Sequence, residues 1–174
     1  MSTTQSQSPT LPRQAVSEPY MDWFDLSPLE ADPNAGQPPL AAYRDFLQYA
    51  QDEIAARFDS NADIVDLIHA RGWIVDQVLI RCWQHLLGDL DATLVAVGGY
   101  GRRELLPGSD VDIMLLLGDT EDEQSGPLLE AFLMLLWDIG LEVGHSVRTL
   151  QDCVEQSTAD ITVATNLMEA RALC

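Results

Sequence analysis

Two aspartates, Asp110 and Asp112, stand at the head of the apolar run Ile113-Met114-Leu115-Leu116-Leu117. On a strand, residues i and i+2 share a face, so both carboxylates project together while Val111 turns into the core. Like charges held that close repel each other unless a cation lies between them. A divalent ion carrying nucleotide phosphates fits, because Mg2+ is commonly bound by one or two carboxylates plus substrate oxygens. Upstream, Gly98-Gly99-Tyr100-Gly101-Arg102-Arg103 follows a second apolar run, Leu94-Val95-Ala96-Val97. Glycines let backbone N–H groups approach phosphate oxygens with no side chain in the way. Strand, glycine turn and paired carboxylates together read as equipment for moving a phosphoryl-linked group.

Neither half of the pattern is sufficient alone. Glycine pairs after strands are common turns. The spacing does not match the dinucleotide fingerprint, because Pro107, Gly108 and Ser109 intervene and no long helix fits before Asp110. The Gly-Lys-Ser/Thr of a Walker loop is also missing. Carboxylates cluster at many strand ends, but a carboxylate at the start of so apolar a strand is costly without a partner. Arg102 and Arg103 either answer Glu104 or face the phosphates, where a guanidinium can bind two oxygens at once. Ser109 either caps a turn or donates to a phosphate oxygen. In Leu141 to Thr149, His145 shares a face with Val143 and Val147 and is expected to be a packed, hydrogen-bonded core residue. Arg148 shares the opposite face with Glu142, Gly144 and Ser146, which makes it the better substrate contact. Trp83 and Trp137 fall on apolar stripes and are expected in the core.

The elements that must position these residues follow from hydrophobic periodicity. Residues 1–38 are rich in Ser, Thr, Gln and Pro and are expected to be disordered or loosely packed, with Tyr20-Met21-Asp22-Trp23-Phe24 as a patch able to dock on the body. A helix is expected from Leu40 through Phe58 and a second from about Asn61 to Leu87, ended by Gly88. Two strands then flank the glycine turn. An apolar helix through Leu128 to Trp137, a third strand over 141–149 and a final helix over about 159–173 complete the order. The link between the first two strands is too short for a crossover helix, so a small α/β sheet of mixed direction, covered by helices, is the predicted fold.

The chain has 174 residues, 47% of them hydrophobic, enough for one domain with a sizeable core. Its 28 acidic against 9 Lys+Arg residues give a net charge of −19. A surface of that sign repels a polymer of phosphates, so no nucleic-acid partner is expected, while a single nucleotide remains compatible with a metal and local arginines. No apolar run is long enough for a bilayer, no secretory signal opens the chain, and Cys82, Cys153 and Cys174 suggest neither disulfides nor zinc. No membrane partner and a cytoplasmic location are the corresponding expectations.

Several stretches resemble one family closely: Val95-Ala96-Val97-Gly98-Gly99-Tyr100-Gly101-Arg102, Ser109-Asp110-Val111-Asp112, Leu136-Trp137-Asp138, Leu141 to Thr149, and Asp160 to Leu167. This is the bacterial bifunctional uridylyltransferase/uridylyl-removing enzyme, which modifies the PII nitrogen-regulatory protein and belongs to the DNA polymerase β superfamily of nucleotidyltransferases. The resemblance implies a polymerase β-like nucleotidyltransferase domain over residues 39–174, truncated at its C-terminal side. It implies transfer of UMP from UTP to a tyrosine of PII, with release of pyrophosphate. Asp110 and Asp112 would hold the catalytic Mg2+ or Mn2+, and Gly98, Gly99 and Ser109 would cradle the triphosphate; the reading of the residues themselves adds Arg102 and Arg148 as nucleotide contacts. The family's phosphohydrolase and ligand-sensing domains have no counterpart here, so UMP removal and glutamine sensing are not expected. Two features depart from the pattern. Relatives often have Gly-Arg-Gly where this chain has Gly101-Arg102-Arg103. The superfamily's third carboxylate, usually in Asp-x-Arg, is replaced in Ser146-Val147-Arg148, leaving Glu142 or Asp160 for that role. A nucleotide-binding regulatory module without catalysis, and a transferase acting on another acceptor, are the alternative readings.

Overall fold

The computed structural model describes residues 18–30, 40–88, 90–118 and 125–174. A four-stranded sheet carries Asp112, and Asp110 stands one residue before its second strand. Its strands are β1 (Ala92–Ala96), β2 (Val111–Leu117), β3 (Val143–Thr149) and β4 (Arg171–Ala172), in the order β3-β2-β1-β4. β1 runs antiparallel to β2 and to β4, whereas β2 and β3 are parallel. The mixed direction follows from the connections. Residues 97–110 can only turn the chain back, while β2 reaches β3 by way of the helix α4 (Ser125–Asp138), long enough for a crossover.

Alternation along the strands divides the core in two. Leu94, Ala96, Val111, Ile113 and Leu115 join one buried cluster with residues of α1 (Leu40–Asp59), α2 (Ile64–Leu87) and α4. On the other face Val95, Val97 and Met114 pack with Cys153 of α5 (Leu150–Ala159) and Leu167 of α6 (Ile161–Met168). The sheet is therefore covered by helices on both sides, and Asp112 belongs to the α5–α6 side.

The two N-terminal helices are separate because Asn61, at φ 61°, turns the chain between them. Asp63 then caps α2, its carboxylate accepting from the Val65 N–H at 2.8 Å. At the far end of α4, Gly140 at φ 91° lets the Gly140 and Leu141 N–H groups close on the Trp137 and Leu136 carbonyls. Within 1–38, residues 18–30 form two short turns of helix that bury Tyr20, Phe24 and Leu29 in the main core cluster, so the aromatic patch is docked. Residues 1–17 and 31–38 lie outside the described residues, as does most of the acidic stretch 121–126.

Three expectations need correction. The expected helix over about 159–173 is one shorter helix, α6, and a strand, and a further helix, α5, precedes it. Thr149 and Asp152 form a capping box that starts α5 at Leu150, and Asp160 then takes an extended conformation and caps α6 afresh through Thr162. Arg171–Ala172 leave the helix to pair with β1. Trp83 is buried as expected, but Trp137 is 50% exposed. His145 is exposed too, its ring edge-on to Trp137 with centroids 6.0 Å apart. Both residues lie where β3 forms the edge of the sheet, with a neighbouring strand on one side only.

Candidate nucleotide-binding site

After β1 the chain makes one helical turn, α3 (Gly98–Gly101), before it returns to β2. Val97 is still extended, and Gly98 follows at φ 58°, a left-handed conformation that glycine adopts without steric cost. The turn closes through Gly101 N–H to the Val97 carbonyl at 2.9 Å and Glu104 N–H to the Gly99 carbonyl at 2.9 Å. Gly101 permits a close approach from below: an added Cβ would strike the Glu169 carbonyl and lie 3.0 Å from that of Ala96. Gly108, at φ 77°, reverses the chain again and delivers Ser109 and Asp110 to the head of β2. Arg103 is also left-handed, at φ 66°. The resemblance places a glycine at this position, and the backbone explains why: a residue without Cβ takes that conformation freely.

Gly99, Tyr100, Glu104, Leu105, Gly108, Ser109, Asp110 and Asp112 line one open cavity of about 400 Å³. Of the residues singled out in the sequence, four therefore meet around a single space: Gly99, Ser109, Asp110 and Asp112. Gly98 adjoins it, since a Cβ there would lie 3.5 Å from Asp112 Oδ2. Partial burial, and then the neighbouring Asp110 charge, raise the pKa of Asp112 above the ordinary carboxylate value. A cation placed between the two would remove that strain. The donor set is all oxygen, which suits a hard ion such as Mg2+ or Mn2+. Among the described residues no group of three His, Cys, Asp or Glu side chains could hold a metal. The chain thus offers two carboxylates, and phosphate oxygens and water would complete the coordination of an ion bound there.

The remaining predicted residues are distributed differently. Arg102 lies beside the turn, with Nη2 3.7 Å from where a Gly99 Cβ would be, but its guanidinium is held by Glu104 at 2.8 Å and Glu169 at 2.6 Å. Those carboxylates raise its pKa, so it stays charged. Arg148 shares the Asp112 face, as alternation required, yet its register partner is Leu116, whereas Asp112 pairs with Gly144. Four residues of strand at about 3.3 Å each separate them, so Arg148 stands at the other end of β3. Glu142 precedes the Val111–Val143 pair and accepts the Val111 N–H through its carbonyl at 2.8 Å, which places it beside Asp110 in the register. Asp160 is the α6 cap, its carboxylate accepting from Thr162 N–H at 2.8 Å.

Sequence reasoning missed two residues of the surroundings. Gly144 leaves the room that Asp112 Oδ1 uses, because a Cβ there would overlap that oxygen. Asn166 of α6 brings its Oδ1 to 3.9 Å from the Gly98 Cβ position, on the same side as Asp112. The alternation of β3 already put Gly144 on the Asp112 face. Nothing in the spacing of α6 singles out Asn166.

A mixed sheet whose second strand holds Asp112 just after Asp110, with a glycine turn lining the same cavity, is the arrangement of a nucleotidyltransferase. The model of the nucleotidyltransferase domain family matches residues 77–163, half of the chain, and the chain belongs to that family. Its four-stranded mixed sheet with covering helices agrees with the polymerase β-like fold. Among curated relatives, it is 48% identical over 153 residues to the bifunctional uridylyltransferase/uridylyl-removing enzyme of Pseudomonas putida (strain GB-1), covering 87% of this chain and 17% of that protein. The enzyme of the same description from Pseudomonas aeruginosa (strain UCBPP-PA14) is 47% identical over 153 residues, with the same coverage. That of Ectopseudomonas mendocina (strain ymp) is 44% identical over 159 residues, 89% of this chain and 18% of the relative. The chain thus spans about a sixth of the length of these relatives. No described helix is long and apolar enough to cross a membrane.

Proposed function

We propose that this chain is the nucleotidyl-transferring part of a uridylyltransferase, taking UMP from UTP in the presence of Mg2+ or Mn2+ and passing it to the PII regulatory protein in the cytoplasm. The observation that carries the reading is the convergence of Gly99, Ser109, Asp110 and Asp112 on one cavity. Similarity to proteins described as uridylyltransferases supports the choice of UTP. Asp110 and Asp112 are the residues that hold the metal, which when bound neutralises charge at the α-phosphorus and on the departing pyrophosphate. Gly98 and Gly99 keep the phosphate side of the cavity free of side chains, and the Ser109 hydroxyl is a donor in its wall. The acceptor hydroxyl attacks the α-phosphorus in line, the bond to the bridging oxygen breaks, and the acceptor loses its proton. Glu142, in register beside Asp110, is the carboxylate best placed to assist that proton, since Asp160 is engaged in its helix cap.

Incubation with α-labelled UTP and purified PII, with and without divalent cation, tests this directly. Cation-dependent label on PII, absent with Asp110→Asn, is the expected result. Transfer that persists in excess chelator overturns it. One observation favours a second reading: among the described residues no third carboxylate completes a metal-holding group with the pair. A chain that binds UTP with Mg2+ yet labels no acceptor would be a nucleotide-binding module.

A further inference from the structure

Beneath the glycine turn lies a charge that the proposed reaction does not use. Asp76 of α2 is 7% exposed, the single buried charged side chain among the described residues. It falls within the run Ile74-Val75-Asp76-Gln77-Val78-Leu79, where four neighbours belong to the apolar core. Burying a carboxylate there is unfavourable unless every lone pair is well met, and an aliphatic side chain would fill the space at lower cost.

Its partners come from the turn and from the C-terminal strand. The Tyr100 hydroxyl, at the third position of Gly98-Gly99-Tyr100-Gly101, donates to Asp76 Oδ1 at 2.6 Å. Arg171 of β4 grips the same carboxylate with both ends of its fork, Nη1 to Oδ2 at 2.8 Å and Nη2 to Oδ1 at 3.0 Å. The guanidinium also reaches the Gly101 carbonyl through Nε at 3.3 Å and the Tyr100 carbonyl through Nη2 at 3.4 Å. Tyr100 is 1% exposed, and burial first and Asp76 second hold its pKa well above the ordinary phenol value, so its hydroxyl remains a donor. Pairing of Arg171 with Ala96 sets this fork directly under the end of β1, one residue before Val97 and the turn. Arg102 on Glu169 adds a second, exposed tie between the same two segments.

We infer that Asp76, Tyr100 and Arg171 are positioning residues that lock the glycine turn in its nucleotide-binding conformation, tying α2 and the C-terminal strand to the backbone of the phosphate side of the cavity. This rests on the nucleotide-binding reading above. None of the three needs to touch the nucleotide. Their effect passes through the Gly98–Gly101 backbone, where a small displacement of a positioned group is enough to lose affinity.

Tyr100→Phe removes one hydrogen bond and keeps the ring, and Arg171→Lys keeps the charge but loses the fork. Val78→Ala, on the same helix and fully buried, is the control for general destabilisation. Two quantities are read on each folded variant: amide hydrogen exchange at Gly101, Arg102 and Glu104 relative to β2, and affinity for UTP with Mg2+. Both test variants are expected to speed exchange at those three amides about five- to tenfold and to weaken UTP by a similar factor, the scale of one buried hydrogen bond. Val78→Ala, even where it lowers the melting temperature more, leaves both within about twofold. Exchange and affinity in Tyr100→Phe and Arg171→Lys no different from Val78→Ala overturn the inference. Should the unaltered chain fail to bind UTP, the functional reading fails, while the exchange comparison still decides whether this network fixes the turn.

Discussion

At Gly144 an added methyl group would occupy the position of Asp112 Oδ1, the end of a side chain that can swing away. Gly144→Ala should therefore fold, with stability within about 0.5 kcal/mol of the parent, because the strand itself tolerates alanine. The displaced carboxylate is another matter: altering what holds a metal ligand in place commonly costs about 10–100-fold in metal affinity. UTP affinity in the presence of Mg2+ is expected to fall at least about tenfold, and titration calorimetry beside a urea melt separates the two effects. Unchanged affinity would mean that the Asp112 position is not what binds nucleotide. Residues of this kind mark where sequence reading reaches its limit. Asp110, Asp112 and the glycines announce themselves by type and spacing, because carboxylates at i and i+2 before an apolar strand have few inexpensive uses. Gly144 matters only for the space it leaves, and Asp76 only for partners 24 and 95 residues away in the chain. An acid on the buried stripe of α2 was the available signal, since it demands a partner without naming one.

At the level of elements, α5 depends on its N-terminus. Thr149 accepts the Asp152 N–H at 3.1 Å, while the Asp152 carboxylate accepts the Thr149 N–H at 2.9 Å and its hydroxyl at 2.7 Å. The backbone bond first and the side-chain bond second hold the Asp152 pKa below the ordinary carboxylate value. A depressed folded-state pKa stabilises the protein above the unfolded carboxylate pKa, and that contribution is lost as pH falls through the folded value. Asp152→Asn should accordingly lower the urea midpoint at pH 7 and converge with the parent well below the usual carboxylate range. A gap independent of pH would show that the charge plays no part. Thr149→Ala is expected to cost about 1 kcal/mol at pH 7 for loss of the cap. This box also explains where periodicity failed. The apolar pattern was legible for α2, β1, β2 and α4, whose buried faces are broad. In α5 only Cys153 is buried, and in α6 none is, so hydrophobic spacing carries little information there and the caps set the boundaries instead.

Across the whole molecule, an N-terminal strap packs on the helices α1 and α2. Phe24 and Trp73 rings stand 6.2 Å apart, Tyr20 meets Trp23 and His69 edge-on, and the Arg57 guanidinium lies 4.4 Å from the Trp23 centroid. Polar composition pointed to loose attachment of 1–38, but within 18–30 the aromatic residues outweigh it. Phe24→Ala should cost about 3 kcal/mol by urea unfolding, the usual loss for a buried ring. A loss under about 1 kcal/mol would show that the strap is not part of the core. The strap braces α2, α2 carries Asp76, and Asp76 reaches the glycine turn, so the architecture converges on the aspartate pair. In the function proposed above, Asp110 and Asp112 share a divalent ion whose coordination a nucleoside triphosphate completes. Mn2+ titration followed by electron paramagnetic resonance reads this without needing an acceptor. One Mn2+ per chain, bound at least about tenfold more tightly with UTP present and lost in Asp112→Asn while the fold persists, is the predicted result. Equal Mn2+–UTP binding by the unaltered chain and by Asp112→Asn would contradict it.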